Sequence, residues 1–327
     1  MTGVKIKKVE ADENGMRLDR WFKLHYPGLG FGHLQKLLRS GQIRIDGGRV
    51  KTDTRLLIGQ SVRVPPLSLN NKEVLAITDK TLRKQDDETV LKKMLLYEDS
   101  KIFVFNKPAG LAVQGGSGLV RHVDSMLEVW RNKKGEKPRL VHRLDRETSG
   151  VLIVARSRGA AQALTAAFRT RETKKTYWAL VRGVPKKKQD KISTWMVKDS
   201  ASQGDKMRVC EHGEPDSSHA VSYYRILDTR GRALSWLEME PYTGRTHQLR
   251  VHAAYMDHPI IGDAKYFFSD SNWALPGGIQ NRLHLHARRI RVPHPSGGIL
   301  DIVAPLPPHM VQSFNLLAFN ENDGDTE

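Results

Sequence analysis

Residues 142–155 constrain this chain more than any other stretch. His142-Arg143-Leu144-Asp145-Arg146-Glu147-Thr148-Ser149-Gly150 is polar and turn-forming, and Val151-Leu152-Ile153-Val154-Ala155 follows it directly. An apolar run this short, β-branched and opened by a glycine suits a buried strand better than a helix. A carboxylate, Asp145, is therefore carried on a tight turn beside the core. It lies between Arg143 and Arg146, cations that favour its ionised form. By spacing alone, the same carboxylate also suits a turn or helix cap, with Thr148 completing a local hydrogen-bond pattern.

The chain has 327 residues, enough for two domains and a real core. Its longest apolar runs fall far short of a membrane span, so no membrane partner is expected. Met1 to Gly15 has no apolar core and carries Glu10, Asp12 and Glu13, which argues against a presequence. One cysteine, Cys210, cannot form an internal disulfide and suits a reducing, cytoplasmic compartment. The net charge of +17 predicts a polyanion partner. Nucleic acid is favoured over a membrane surface because no long basic amphipathic helix stands out.

Composition and punctuation divide the chain into an N-terminal extension (1–15), a small basic module (16–64), a linker (65–92), a larger domain (93–312) and an acidic, disordered tail (313–327). In the module, Leu18, Trp21, Phe22 and His25 fall at helical spacing, with Pro27-Gly28 as the stop. Leu34, Leu37 and Leu38 mark a second helix ending near Ser40-Gly41. Ile43 and Ile45, then Val62 and Val64, read as strands. Lys36, Arg39 and Arg44 are among its exposed cations. In the larger domain Ile102–Gly110 reads as a strand entering a turn. Ser157 caps a helix with an Ala160, Leu164, Phe168 stripe. Along the strand Lys174–Val181, Tyr177, Ala179 and Val181 face one way, and Thr176, Trp178 and Leu180 the other. Thr246 is expected to cap a helix carrying Leu249, Val251, Ala253 and Ala254.

His142, His247, His252, His284 and His286 invite a metal reading. His247 and His252, however, lie five apart rather than four, and no cysteine is suitably placed. They are read as core or phosphate contacts, with no metal and no cofactor.

The H-R-L-D-x-x-T-S-G string at 142–150 resembles the catalytic loop of the Rlu family of RNA pseudouridine synthases, and all seven specified positions match. Asn106-Lys107-Pro108-Ala109-Gly110-Leu111 resembles that family's first motif, where a mainly structural role is expected. Lys175-Thr176-Tyr177 resembles its K-x-Y motif, and Gly244-Arg245-Thr246-His247-Gln248-Leu249-Arg250-Val251-His252 its third. Residues 37–47, with Arg17, Leu18, Asp19 and Trp21, resemble the α-L RNA-binding module of a ribosomal protein. His258–Asp263 and Leu283–Ala287 match further family segments. The resemblance spans roughly residues 16–310 and points to the large-subunit ribosomal RNA branch, especially its C-type members.

The resemblance implies an α+β fold, with a mixed, mainly antiparallel sheet and flanking helices around a cleft, preceded by the α-L module. It implies base flipping followed by attack of Asp145 on the base or the ribose. Tyr177 would face the target base and help move the proton at its C5. Arg250 would orient Asp145 by a charge-assisted hydrogen bond. Arg143 would fill the vacated stack, Arg245 would anchor RNA or a loop, and Leu285 would pack under the base. Lys36, Arg39 and Arg44 would contact RNA. The implied partner is large-subunit ribosomal RNA or its assembly precursor, bound by a monomer. Competing readings are a non-catalytic RNA-binding or ribosome-assembly protein, a synthase acting on transfer RNA, and a glycosidase. The last lacks an identifiable second acid.

Overall fold

The computed structural model describes residues 4–26, 29–67, 86–115, 121–170, 172–200, 205–267 and 275–325. The chain divides into two compact units, Met1–Thr81 and Leu82–Glu327. The expected stop at Pro27-Gly28 and most of the expected linker lie outside the described residues.

In the first unit, β1 (Lys5–Lys8), α1 (Leu18–His25), α2 (Phe31–Arg39), β2 (Arg44–Ile45), β3 (Gly48–Arg49) and β4 (Ser61–Val64) follow in order. The strands pair antiparallel as β1-β4-β2-β3. The helical stripes do what their spacing predicts: Leu18, Trp21 and Phe22 of α1 and Leu34, Leu37 and Leu38 of α2 are buried against Ile43, Ile45, Val62 and Val64. Between β2 and β3, Asp46 (φ 48°) and Gly47 (φ 80°) make the two-residue, positive-φ turn that matches strand twist. The N-terminal extension is corrected: β1 pairs with β4, and Val9 and Glu13 are buried. The Glu13 carboxylate accepts hydrogen bonds from Trp21 Nε1 (2.9 Å) and the Glu10 amide (3.0 Å), so these residues belong to the module.

The second unit begins with a helix, α3 (residues 86–94), whose Leu91 and Met94 are buried in its core. These residues are thus part of the larger unit rather than of a linker. There follow β5 (Leu95–Glu98), β6 (Ile102–Lys107), α4 (Val123–Met126), β7 (Arg139–Leu140), β8 (Ser149–Ala155), α5 (Arg158–Arg169), β9 (Lys174–Arg182), β10 (Gln189–Lys198), β11 (Met207–Cys210), β12 (Ser218–Arg230) and β13 (Leu234–Pro241). Then come α6 (Gln248–Tyr255), β14 (Leu285–Pro293), β15 (Ile299–Val303), α7 (Pro308–Leu317) and α8 (Asn322–Asp325).

One sheet runs β11-β10-β12-β13-β9-β14-β8-β6-β5, with β15 on β14 and β7 on β8. Among the described residues every pairing is antiparallel except β14 with β8. That exception places the loop 142–148. Gly150 pairs with Ala287 at φ +113°, and a Cβ there would come within 2.2 Å of the Ala287 carbonyl oxygen. Only glycine lets β8 close onto β14 where residues 142–148 enter the sheet.

The alternation of β9 sorts the two faces. Trp178 and Leu180 pack with Trp236 of β13 and with Met310 and Phe314 of α7. Tyr177, Ala179 and Val181 pack with Leu249 and Ala253 of α6 on the other face. Ser157 caps α5 by accepting from the Ala160 amide at 3.3 Å, as its position predicts. The cap of α6 is His247, not Thr246. It sits at φ 55°, and the Gln248 side chain folds back to the Thr243 hydroxyl (2.7 Å) and the Arg245 amide (3.0 Å).

The disordered tail is also corrected. Ser313, Phe314 and Phe319 are buried, and Asn322–Asp325 is helical. Gly324 lies against the Trp178 and Trp236 indoles, where a Cβ would approach within 2.6 Å. Glu321 pairs with Arg288 at 3.2 Å. The acidic composition misled because a glycine with no side chain seats this segment on aromatic surface.

Candidate active site

A cleft of about 450 Å³ opens on the α6 face of the second unit. His142–Asp145 and Thr148 form one wall, Lys175 and Tyr177 of β9 with Leu285 of β14 the floor, and Pro241–Arg250 the other wall. Phe168 and Arg169 from the end of α5 complete it. Among the described lining residues Asp145 is the single carboxylate, against Arg143, Arg169, Lys175, Arg245 and Arg250.

The loop carrying Asp145 is held by its backbone. The Thr148 amide donates to the Asp145 carbonyl at 3.2 Å, and the Ile153 amide donates to His142 Nε2 at 2.8 Å. Burial, with the Lys175 charge nearby, pushes His142 down to about 3, which keeps Nε2 free to accept. Its ring stacks on Phe168 with centroids 4.7 Å apart. Lys107, fully buried, donates from Nζ to the carbonyls of Pro108 (2.9 Å), Leu111 (2.8 Å) and Arg146 (3.0 Å). The N-K-P turn thereby grips the loop one residue past Asp145, the structural role its motif suggested. Burial lowers this ammonium to about 7, while three carbonyl acceptors match three ammonium donors.

Among the described residues the Asp145 side chain caps no backbone group. Its Oδ2 lies 3.6 Å from Arg250 Nη1 and 3.8 Å from His247 Nε2. The turn-cap alternative is therefore excluded: the local bond runs through the backbone, and the carboxylate points at α6.

Arg250 is where the expectation needs correcting. It lies beside Asp145, but its hydrogen bonds go elsewhere, from Nε to Asp263 Oδ2 and from Nη2 to Asp263 Oδ1, both at 2.7 Å. Asp263 is buried and also accepts from the amides of Lys265 (2.9 Å) and Tyr266 (3.2 Å). This two-bond fork fixes the guanidinium plane and leaves Nη1 directed at Asp145. Asp263 has no assigned role in the sequence reading, although the His258–Asp263 segment stands out there. Both charges are buried, so removing one partner is costly. Asp263→Ala is expected to destabilise the fold by about 3–5 kcal/mol, read as a lowered urea midpoint. An unchanged midpoint would show that Arg250 is anchored by something else.

His247 shares this wall. Its Nδ1 lies 2.8 Å from the Tyr266 hydroxyl, and its Nε2 lies 3.5 Å from Asp205 Oδ2. Burial lowers its proton affinity against the opposing pull of Asp145. Its backbone is left-handed at φ 55°, a costly conformation for a residue with a side chain. Tyr177 sits between core and cleft, and burial beside Asp145 pushes its hydroxyl well above the usual phenol range. It is therefore a protonated donor at neutral pH.

Of the remaining candidates, Leu285 is buried in the cleft floor. Arg143 is exposed at the rim, and Arg245 donates from Nε to the His219 carbonyl at 3.1 Å, the loop-anchor alternative. Lys36, Arg39 and Arg44 belong to the first unit. There the Arg44 side chain donates to the Gly41 (3.0 Å) and Gly47 (3.1 Å) carbonyls, which ties it to its own turn. The remaining histidines are occupied with hydroxyls and carbonyls: His252 with Ser222 and Thr194, His284 with Arg282 and Ser313, His286 with Ser149 and Ala304.

A family model described as RNA pseudouridylate synthase matches residues 101–255, which hold Asp145, Tyr177 and Arg250. The chain is 37% identical over 94% of its length to ribosomal large subunit pseudouridine synthase C of Pasteurella multocida (strain Pm70), covering 92% of that protein. The chain belongs to the RNA pseudouridine synthase family. The synthase of the same name from Escherichia coli (strain K12) is 36% identical, over 93% of each chain. Among solved structures, human RNA pseudouridylate synthase domain containing 4 aligns with a TM-score of 0.61 and 30% identity. That alignment covers 73% of this synthase and 98% of the human chain.

Proposed function

We propose that this synthase isomerises specific uridines of large-subunit ribosomal RNA, with Asp145 as the nucleophile. The observation that carries the reading is a carboxylate, the one among the described lining residues, set among five cations in one cleft. The relatives, named as synthases of the ribosomal large subunit, support the choice of RNA. A positive cleft suits a polyanion and leaves one group able to attack.

The reaction is an isomerisation and needs no outside reagent. The N1–C1′ bond of uridine breaks, a C5–C1′ bond forms, the proton on C5 departs and N1 takes one up. Asp145 attacks the extruded nucleoside covalently and leaves when the carbon bond has formed. Arg250 Nη1, aimed by the Asp263 fork, orients the attacking carboxylate. Tyr177 meets the base as a hydrogen-bond donor and moves the C5 proton only by giving up its own hydroxyl proton as it accepts that one, because burial disfavours a free phenolate. Leu285 supplies an apolar surface beneath the base, and Arg143 at the rim fills the gap in the stack. Lys36, Arg39 and Arg44 add phosphate contacts from the first unit. We place the protein in the cytoplasm as a monomer. Among the described residues no helix is long and apolar enough to cross a membrane.

The test uses ribosomal RNA from a strain lacking the protein, mapped by carbodiimide modification and primer extension before and after incubation with the enzyme. New stops in large-subunit RNA are the expected result. Stops that appear only in transfer RNA would overturn the substrate. Tight binding with no stops in either RNA would favour the non-catalytic reading.

A further inference from the structure

We propose that Lys175 binds a backbone phosphate of the RNA beside the extruded uridine; this rests on the reading of the cleft as an RNA site. Lys175 and Tyr177 are two apart on β9, so both project from the same face, and both line the cleft. Lys175 is half-buried, and among the described residues its ammonium has no hydrogen-bond or ion-pair partner. Its neighbours differ. Lys174 pairs with Glu240 at 3.0 Å, Arg250 is held by Asp263, and Arg245 is tied to the His219 carbonyl.

A half-buried ammonium without a partner costs free energy, and burial lowers its pKa with no opposing charge to offset it. Such an arrangement suits a group whose counter-ion arrives with the ligand. The facing wall leaves room for one. A Cβ placed on Gly244 would lie 4.0 Å from Lys175 Nζ, and Gly244 does not have the positive φ that would demand glycine. The bare Cα keeps the space over the ammonium open. Uracil is neutral and offers an ammonium only carbonyl acceptors, whereas every nucleotide entering the cleft brings one phosphate charge. A lysine serves as a compact point charge for such a group.

The experiment measures kcat/KM for large-subunit ribosomal RNA transcript across a salt series, for wild type, Lys175→Gln and Lys175→Arg. Lys175→Gln should lose roughly tenfold to a hundredfold in kcat/KM, mainly through KM. The slope of log kcat/KM against log salt should flatten by about 0.7–0.9, the signature of one lost phosphate contact. Lys175→Arg should recover both. A slope equal to wild type in Lys175→Gln overturns the proposal, whatever the loss of rate, because a structural or base-contacting lysine leaves the counter-ion count unchanged. A wild-type enzyme inactive on this RNA is a separate result that counts against the functional reading. The Lys175 slopes are then taken from filter binding of the same transcript.

Discussion

Asp145→Asn is expected to abolish pseudouridine formation, with a loss of at least about 10⁴-fold in the single-turnover rate, while folding and RNA affinity stay close to wild type. The amide keeps the shape of the carboxylate and removes its nucleophilicity. It leaves no buried charge stranded, because Arg250 keeps both hydrogen bonds to Asp263 and His247 keeps Tyr266. The loop is also unaffected in principle: its ties are the Thr148 amide to the Asp145 carbonyl and Lys107 to the Arg146 carbonyl, neither of which uses the side chain. Thermal melting within a few degrees of wild type is therefore the control. Filter binding should show unchanged or slightly tighter RNA affinity, since one anion has left a cationic cleft. Asparagine can deamidate back to aspartate, so residual activity is read against Asp145→Ala and the intact mass of the protein. Activity within tenfold of wild type in both variants would remove Asp145 from the mechanism. It would leave the cleft with no carboxylate to replace it among its described lining residues.

Asp145 was legible because its signal is contiguous. A turn-forming string, a glycine and a five-residue apolar strand stand next to one another, and the resemblance needs no long-range pairing. The same holds for α5, announced by Ser157 and its apolar stripe, and for β9, where alternation assigned Trp178 and Tyr177 to opposite faces. Local patterns fix these because the helix and strand periods are properties of the backbone itself.

The site's second layer was not legible in this way. Asp263 meets Arg250 only after the chain leaves α6 and turns at Gly262. That residue has φ +71°, and a Cβ there would overlap the Arg282 carbonyl at 1.9 Å. No spacing rule links an arginine on a helix to an aspartate beyond such a turn, so the sequence pairs Arg250 with Asp145 alone. The actual arrangement divides its work: Nε and Nη2 to Asp263, Nη1 toward Asp145. The strand β1 was missed for a related reason. Lys-Ile-Lys-Lys has no buried face of its own, and its pairing edge is supplied by β4, far along the chain. The tail was misread because composition reports the solvent side of a segment, whereas Gly324 is defined by the indoles it touches.

Acidification should unfold the second unit well above the pH at which carboxylates titrate. His252, His284 and His286 are fully buried, and burial lowers them to about 4, about 4 and about 3 respectively. In the unfolded chain each returns to about 6.5. Between these values the unfolded state binds more protons, so stability rises with pH. The contribution of these residues is fully present above pH 6.5 and is lost as the pH falls toward 4. One unit below 6.5 each costs about 1.4 kcal/mol, together about 4 kcal/mol, and at pH 5 about 6 kcal/mol. That is comparable with the whole stability of a typical domain. Burial favours the neutral ring because each sits among hydroxyl and carbonyl groups with no carboxylate in its hydrogen-bond set. The acidic residues of this unit with lowered pKa, Asp99, Asp190, Asp205 and Asp301, lose their contribution only below the ordinary carboxylate range, so the window from pH 6.5 to 5 belongs to the histidines. Urea midpoints at pH 7.5 and 5.5, at fixed ionic strength, should fall steeply. In His286→Gln the dependence should lose one proton's share of its slope, a quarter or less, because buried His142 is lowered to about 3 as well. Equal midpoints at the two pH values would mean that the rings are already protonated in the native state. Ser149, which meets His286 Nδ1 at 2.9 Å, would then be accepting from that ring where a neutral His286 accepts from the serine hydroxyl, reversing the bond that joins β8 to β14.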